Sequence, residues 1–119
     1  MFLYNNNITD AQSIGDALKT NNTLTGLSLS DNNITDVQSI GEGLKTNNTL
    51  RILDLNYNNI TDVQSIIDVL KTNNTLKTLY IYMNQLSDNM KSQLNAVQQY
   101  KRDGSNGYQQ VKGMWIYTK

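Results

Sequence analysis

The sequence predicts an α/β protein built from stacked repeats, and three observations lead to that prediction. The phrase NNITDVQS occurs at residues 32–39 and 58–65, and NNITDAQS at residues 6–13 differs from it in one letter. The copies begin at residues 6, 32 and 58, and a fixed period of 26 residues indicates a repeat of one strand and one helix. The apolar residues of each repeat fall at two spacings, one typical of a strand and one typical of a helix.

A segment that recurs at residues 24–34, 50–60 and 76–86 predicts the strands. Its copies share the pattern LxxLxLxxNxL, with Ile allowed in place of Leu. The alternation in LxL is the period of a strand that buries one side. Residues 1–8 match the second half of the pattern, with Met1 and Leu3 at the apolar positions, so the first repeat is incomplete.

Helices are predicted between these segments. In the third copy, Val63, Ile66 and Leu70 are spaced by three and four residues and mark one face of a helix. A Thr precedes a Gln by three residues in each repeat, which predicts a capping box at each helix start, with an Asp in the first turn. The threonines are Thr9, Thr35 and Thr61, and the aspartates are Asp10, Asp36, Asp62 and Asp88. The Asn pair after each helix, first seen at Asn21, predicts an exit in the left-handed conformation.

The last part of the chain departs from the repeat. Met90, Leu94 and Val97 predict a fourth helix that is longer than the others, and residues 104–107 (GSNG) predict a loop. Val111, Met114 and Ile116 then take the apolar positions of LxxLxL and predict a closing strand. We therefore expect a single domain over residues 1–119. Its parts are a partial repeat at 1–23, repeats at 24–49, 50–75 and 76–107, and a closing strand at 108–119.

Composition and charge limit the classes of function. Ten basic and ten acidic residues give a formal net charge of zero, which argues against nucleic acid or an anionic membrane surface as a partner. No apolar run approaches the roughly 20 residues that span a bilayer, and the first residues lack the features of a secretion signal, so we expect a cytoplasmic protein. Because cysteine and histidine are absent, we expect no metal, no cofactor and no enzymatic activity.

One Asn of each repeat is predicted to be structural. It takes the N of LxxLxLxxN, where the chain leaves the strand and backbone groups lack partners. A buried amide can donate and accept several hydrogen bonds at once, so stacked copies predict an asparagine ladder. Its members are Asn6, Asn32, Asn58 and Asn84.

The pattern LKTNNTLxxLxLxxNxI resembles the ribonuclease-inhibitor-like class of leucine-rich repeats. Proteins of that class include cytosolic immune receptors and proteins of intracellular bacteria and large viruses. The resemblance covers residues 1 to about 100, although the period is shorter than usual and the customary end caps are missing. It implies a right-handed horseshoe arc with a parallel sheet on the concave side, helices on the convex side, and protein binding as the general role. Delivery into a host cell as an effector is the alternative to a cytoplasmic location.

The residues between the leucines of LxxLxLxx are predicted to project from the sheet and to bind a protein partner, because Tyr and Trp dominate the energetics of interfaces. Tyr57 and Met83 extend this surface just beyond the strands. An alternative is that Trp115 and Tyr117 cover the exposed end of the core in place of a cap. The predicted partner-binding residues are Ile52, Asp54, Asn56, Tyr80, Tyr82, Trp115 and Tyr117.

Self-association is the second predicted function. The incomplete first repeat leaves an open sheet edge and a thin apolar layer, so we expect a homodimer that joins two N-terminal ends through Phe2 and Tyr4. Catalysis is the third and weakest interpretation. Asp54 has no His, Cys or second acid near it in the pattern, and it is expected to set specificity through its charge.

Overall fold

Helices and strands alternate along the chain, as the repeated phrase predicts. The computed structural model describes residues 1–103 and 115–118, and that part of the chain contains four helices and four strands. In chain order they are α1 (Gln12–Thr20), β1 (Gly26–Ser28), α2 (Gln38–Leu44), β2 (Ile52–Asp54), α3 (Gln64–Leu70), β3 (Thr78–Tyr80), α4 (Asp88–Asp103) and β4 (Trp115–Tyr117). The fourth helix, with 16 residues, is longer than the first three, as predicted.

The strands form one parallel sheet in the order β1-β2-β3-β4, so each repeat lies beside the next. Leu27 pairs with Leu53 and Leu53 with Leu79, which keeps equivalent residues of successive repeats side by side. The incomplete first repeat also pairs with the sheet. Phe2 forms a parallel bridge with Ser28, and the Leu3 N–H donates a 2.8 Å hydrogen bond to the Ser28 carbonyl.

The core lies between the sheet and the helices. Each of the first three strands buries its central Leu and turns its neighbours toward the other side of the sheet. The helices face these leucines with buried residues such as Ile40, Ile66 and Leu70. Full burial of a side chain of this size stabilises the fold by about 1.5–3 kcal/mol, so each added repeat extends one continuous apolar core.

Close packing of the first two helices requires a glycine. A Cβ atom at Gly15 of α1 would overlap the backbone carbonyl group of Ser39 in α2. Because backbone atoms cannot move away as a flexible side chain can, any larger residue at this position would push the two helices apart. Gly15 thus fixes the spacing of the first two repeats on the helical side of the protein.

The predicted threonine capping box is wrong. The first three helices begin at Gln12, Gln38 and Gln64, three residues after the threonines. The backbone N–H of each glutamine donates a hydrogen bond to the Asp two residues earlier. The distances to the Oδ1 atoms of Asp10, Asp36 and Asp62 are 2.8, 2.8 and 2.9 Å. These carboxylates therefore precede the helices and do not lie in their first turns. Asp88 does lie in the first turn of α4, and Ser87 Oγ accepts a 3.2 Å hydrogen bond from the Met90 N–H.

The left-handed residues lie after the strands and not at the helix exits, so the prediction for Asn21 is also wrong. Asn21 has φ −71° and ψ 125°, which is an extended conformation. Positive φ angles near 57° recur at the residue before each ladder asparagine. These residues are Asn5, Asp31, Tyr57 and Met83. The sharp turn out of the strand thus imposes the left-handed conformation even where the residue is Tyr or Met.

The closing strand is present, but its register differs from the prediction. The pattern aligns Ile116 with Ile81, whereas the structure pairs Ile116 with Leu79 and Tyr117 with Tyr80. A shift of two residues keeps every side chain on its predicted side of the sheet, so alternation alone cannot reveal it. Ile116 is buried, and its N–H donates a 2.6 Å hydrogen bond to Oε1 of Gln98 in α4. Val111, Met114 and the loop at residues 104–107 lie outside the described residues.

Candidate functional site

The outward side chains of the sheet form two rows, because equivalent residues of parallel strands lie side by side. We call these two rows together the sheet face. The first row consists of Gly26, Ile52, Thr78 and Trp115. The second row consists of Phe2, Ser28, Asp54, Tyr80 and Tyr117.

Aromatic residues occupy one half of the sheet face. The rings of Tyr80 and Tyr117 stack with their centroids 4.8 Å apart and their planes at 16°. Trp115 precedes Tyr117 in the same strand, and both side chains are exposed, by 44% and 42%. The register found for β4 produces this stack, because it brings Tyr117 beside Tyr80.

On β1, the residues of the sheet face are small or polar. Gly26 has open space where a Cβ atom would be, and Ser28 and Ser30 share a 3.2 Å hydrogen bond between their hydroxyl groups. The result is a groove beside Ile52, whose side chain is 46% exposed. The residues that line the groove on the sheet face are Phe2, Gly26, Ser28, Ile52, Asp54 and Tyr80.

Asp54 carries the formal charge of the sheet face, since every other residue in the two rows is neutral. Its Oδ2 accepts a 3.3 Å hydrogen bond from the Ser28 hydroxyl, and its Oδ1 accepts a 3.0 Å hydrogen bond from the Asn56 N–H. These two bonds hold the carboxylate in one orientation between Ser28 of β1 and Tyr80 of β3.

Asn56 is not part of the accessible surface, which corrects its prediction as a partner-binding residue. Its side chain is only 8% exposed, and its Oδ1 accepts a 2.8 Å hydrogen bond from the Tyr82 N–H of the next repeat. The amide turns back onto the neighbouring repeat, where its oxygen accepts from a backbone N–H. Asn56 therefore joins two repeats.

Tyr82 lies beyond the end of β3 and contacts Tyr57 of the preceding repeat. The two rings meet edge to face with centroids 5.3 Å apart, and their hydroxyl oxygens are separated by 3.1 Å. The hydrogen bond to Tyr57 raises the pKa of Tyr82 above its ordinary value, with smaller contributions from burial and from the nearby acidic groups Tyr57 and Asp54. This pair extends the aromatic surface from the strand into the turn.

The N-terminal end of the protein exposes a second apolar region. Phe2 is 78% exposed, and its ring lies edge to face with that of Tyr4 at a centroid distance of 6.3 Å. A shallow pocket opens at this end between the first strand and α1. Its apolar lining residues are Met1, Leu3, Ile14, Ala17, Leu18, Leu24 and Leu27.

Three of the four predicted ladder asparagines bond across the repeats. Asn58 Nδ2 donates to the carbonyl oxygens of Leu29 and Leu55 at 3.1 Å, and its Oδ1 accepts from the Ile34 N–H at 3.0 Å. Asn32 and Asn84 make equivalent bonds. Asn6 is exposed, and its amide donates to the carbonyl of Tyr4, two residues earlier.

A second row of asparagines, outside the predicted ladder, joins the repeats just before β2 and β3. Asn47 is buried, and its Nδ2 donates to the carbonyl oxygens of Leu18 and Asn21 at 3.0 and 3.2 Å. Its Oδ1 accepts from the N–H groups of Thr49 and Leu50. Asn73 repeats these bonds one repeat later. The signal in the sequence is the first Asn of each recurring NN pair, the pair for which a left-handed helix exit is predicted.

Within residues 1–103 and 115–118, no three His, Cys, Asp or Glu residues are close enough to hold a metal ion. Of the acids that recur at 26-residue intervals, Asp10, Asp36 and Asp62 bond the helix starts. Asp16, Glu42 and Asp68 form ion pairs with lysines three residues later. In the same part of the chain, no helix is long and apolar enough to cross a membrane.

Comparisons with known proteins agree with this architecture. A family model described as leucine-rich repeats in two copies matches residues 22–67. No curated protein matches the sequence. The fold is similar to that of an internalin from Listeria monocytogenes, with a TM-score of 0.56 and 18% sequence identity over 99% of this chain and 34% of the internalin chain. The chain thus spans about a third of the length of that protein.

The fold is therefore a leucine-rich-repeat solenoid. Its sheet of parallel strands, its helices on the other side of the core and its LxxLxLxxN pattern all follow the same repeat. Residues 22–67 match the leucine-rich-repeat family model, and the rest of the described chain continues the same fold.

Proposed function

We propose that this chain is a non-enzymatic module that binds a protein partner through the sheet face, on the concave side of the solenoid. The observation that carries the proposal is an aromatic group in which the exposed residues Trp115 and Tyr117 adjoin the half-buried Tyr80. Large aromatic side chains on a soluble protein are costly to leave in water, and they gain most when a partner covers them.

The rigidity of these aromatic residues also favours binding at the sheet face. The aromatic residues stand on hydrogen-bonded strands, and the Tyr80 and Tyr117 rings support each other at 4.8 Å. A surface that is already ordered loses little conformational entropy on binding, so more of the contact energy contributes to affinity. Ile52 and Asp54 continue the surface toward the N-terminal end, and Tyr82 extends it at the turn.

Affinity capture from the native cell tests this function. The parent chain serves as bait beside the double variant Tyr80→Ala/Tyr117→Ala. The variant Glu42→Ala/Lys45→Ala, which changes an exposed ion pair on the helical side, is the matched control. The parent and the control should retain the same protein, and the aromatic variant should lose it. Equal retention by all three baits would exclude the sheet face as the binding surface.

Self-association is the second candidate function, and the exposure of Phe2 favours it. Residues 1 and 3 bond to β1 and residue 5 bonds to Ser30 just beyond it, so the backbone groups of Phe2 point away from β1. An open edge beside exposed apolar side chains is a template for another strand, and a two-fold pairing of identical ends would cover both edges. The expected assembly is a homodimer with Phe2 and Tyr4 at its interface.

Light scattering at tens of micromolar protein tests the homodimer. The parent should have the mass of a dimer, and Phe2→Lys should shift it to a monomer because a buried lysine would lack a partner. Tyr117→Lys, the same kind of change at the other end of the sheet, should remain dimeric. A monomeric parent would rule the homodimer out. A cytoplasmic location, with delivery into a host cell as the alternative, remains part of the proposal and is open to imaging of a tagged chain.

A further inference from the structure

The groove on the sheet face combines apolar walls with one carboxylate. Gly26 leaves its floor open, while Phe2 and Ile52 provide apolar surface on either side of that floor. Asp54 and Tyr80 lie farther along the same groove. A side chain bound in this groove would contact both hydrocarbon and a negative charge.

The Asp54 carboxylate has remaining capacity to accept hydrogen bonds. A carboxylate has about four acceptor sites on its two oxygens, and Asp54 uses one on Oδ1 for the Asn56 N–H and one on Oδ2 for the Ser28 hydroxyl. Each oxygen therefore keeps a free site. The ion pairs in the described part of the chain all lie at helix ends and join Lys19 to Asp16, Lys45 to Glu42 and Lys71 to Asp68. None of them neutralises Asp54.

A partner that covers the sheet face must compensate this charge. Removing an ionised carboxylate from water without a partner carries a desolvation cost that would cancel much of the gain from the aromatic contacts. A neutral apolar side chain would leave Asp54 uncompensated, and an acidic one would repel it. A cationic side chain supplies both an aliphatic stem for the apolar walls and a charged head for the carboxylate.

The aromatic wall favours the same chemistry. Tyr80 is the register neighbour of Asp54 and presents a ring that is already stacked on Tyr117. A cation beside Asp54 would lie within reach of this ring, and aromatic faces attract cations, arginine above all. Carboxylate and ring thus act on one bound group from adjacent strands.

We propose that the groove between Phe2 and Tyr80 receives an arginine or lysine side chain of the protein partner, with its cationic group on Asp54. This inference rests on the proposed binding function and specifies the partner as one that presents an exposed cationic side chain to the sheet face. Arginine fits the two free acceptor sites of the carboxylate with two parallel N–H bonds, whereas lysine offers a single charged point.

Selection of random short peptides displayed on phage tests the proposal with the full chain. The immobilised baits are the parent, Asp54→Asn, Tyr80→Ala, and Asp68→Asn as the control. Asp68→Asn removes the same charge from the same repeat on the helical side. Asn at position 54 can still accept the Asn56 N–H, so the Asp54→Asn fold should persist, and a matching melting temperature verifies that.

The parent and Asp68→Asn should enrich peptides with Arg or Lys, and Asp54→Asn should show no such enrichment. A selected peptide should bind Asp54→Asn about tenfold or more weakly than the parent. Replacing its Arg by citrulline, or its Lys by norleucine, should weaken binding to the parent by a similar factor. Replacing Arg by Lys then separates the two sources of the cation.

The possible failures are distinguishable. Peptides that bind the parent and lose affinity for Tyr80→Ala, but lack Arg and Lys, would overturn this inference and leave the proposed function standing. Cationic peptides that bind Asp54→Asn as well as they bind the parent would also overturn it. A selection with no peptide sensitive to Tyr80→Ala would reject the sheet face as a binding surface, and this inference with it.

Discussion

The hydroxyl oxygens of Tyr57 and Tyr82 lie 3.1 Å apart, although the two residues belong to different repeats. Tyr57 has a positive φ of 56°, and this turn directs its ring against that of Tyr82. A left-handed tyrosine costs about 1 kcal/mol relative to glycine at such a position. The contact offsets part of this cost and joins the turns of two repeats at the edge of the sheet face.

We predict that Tyr57→Phe lowers the pKa of Tyr82 toward the ordinary value of about 10. The hydrogen bond favours the neutral phenol of Tyr82 and raises its pKa in the folded protein. Its contribution to stability is therefore complete below pH about 10 and is lost as pH rises through the raised pKa. Ring-carbon NMR of Tyr82 over the alkaline range measures the change. Tyr4→Phe is the control, and an unchanged Tyr82 pKa in Tyr57→Phe would contradict the assigned cause.

We predict that Asn58→Ala lowers the free energy of unfolding by about 1–3 kcal/mol, because it leaves buried groups such as the Ile34 N–H without a partner. Asn59→Ala changes the adjacent exposed asparagine and should stay within about 0.5 kcal/mol of the parent. Denaturant titration of the three proteins measures both values. Equal midpoints for Asn58→Ala and the parent would show that the first ladder contributes nothing to stability.

We expect a comparable loss from Asn47→Ala in the second row of asparagines. The mutation removes donors to the Leu18 and Asn21 carbonyls and the acceptor for the Leu50 N–H, all at a buried site. Asn48→Ala is the matched control, since Asn48 is exposed in the same pair. If the two variants have the same melting temperature, the buried amide of Asn47 does not stabilise the fold. Calorimetry of the pair decides the question.

The repeat predicts the strands and the core well, because an alternating pattern with inward leucines has one way to bury them. The helix starts were harder to predict, since Thr35 and Asp36 both offer an oxygen and the exact first residue of α2 decides which one bonds. Asn56 shows another limit. Its position predicts an outward side chain, but its amide turns back to satisfy the Tyr82 N–H, a contact between repeats that alternation does not encode.

The register of β4 is a third limit of sequence reasoning. The first three strands follow the period of 26 residues, and the longer α4 breaks that period before β4 begins. Sequence spacing then fixes only which residues face the core. The observed pairing of Thr78 with Trp115 places the aromatic residues two positions from their predicted neighbours and creates the stack of Tyr80 on Tyr117.

Introduced cysteines distinguish the two registers, because the natural sequence contains none. Thr78→Cys/Trp115→Cys joins residues that the structure pairs across β3 and β4, at a strand separation of about 4.8 Å, within the Cα range of a disulfide. Tyr80→Cys/Trp115→Cys joins residues paired in the predicted register, which the structure offsets by two residues, or about 6.6 Å along the strand. We predict that mild oxidation under native conditions closes the first pair and leaves the second largely reduced, as free-thiol titration will measure. Both variants lose the same tryptophan, so the comparison depends on the partner strand. Faster disulfide formation in the second pair would support the register predicted from the sequence. It would also contradict the stacking of Tyr80 on Tyr117.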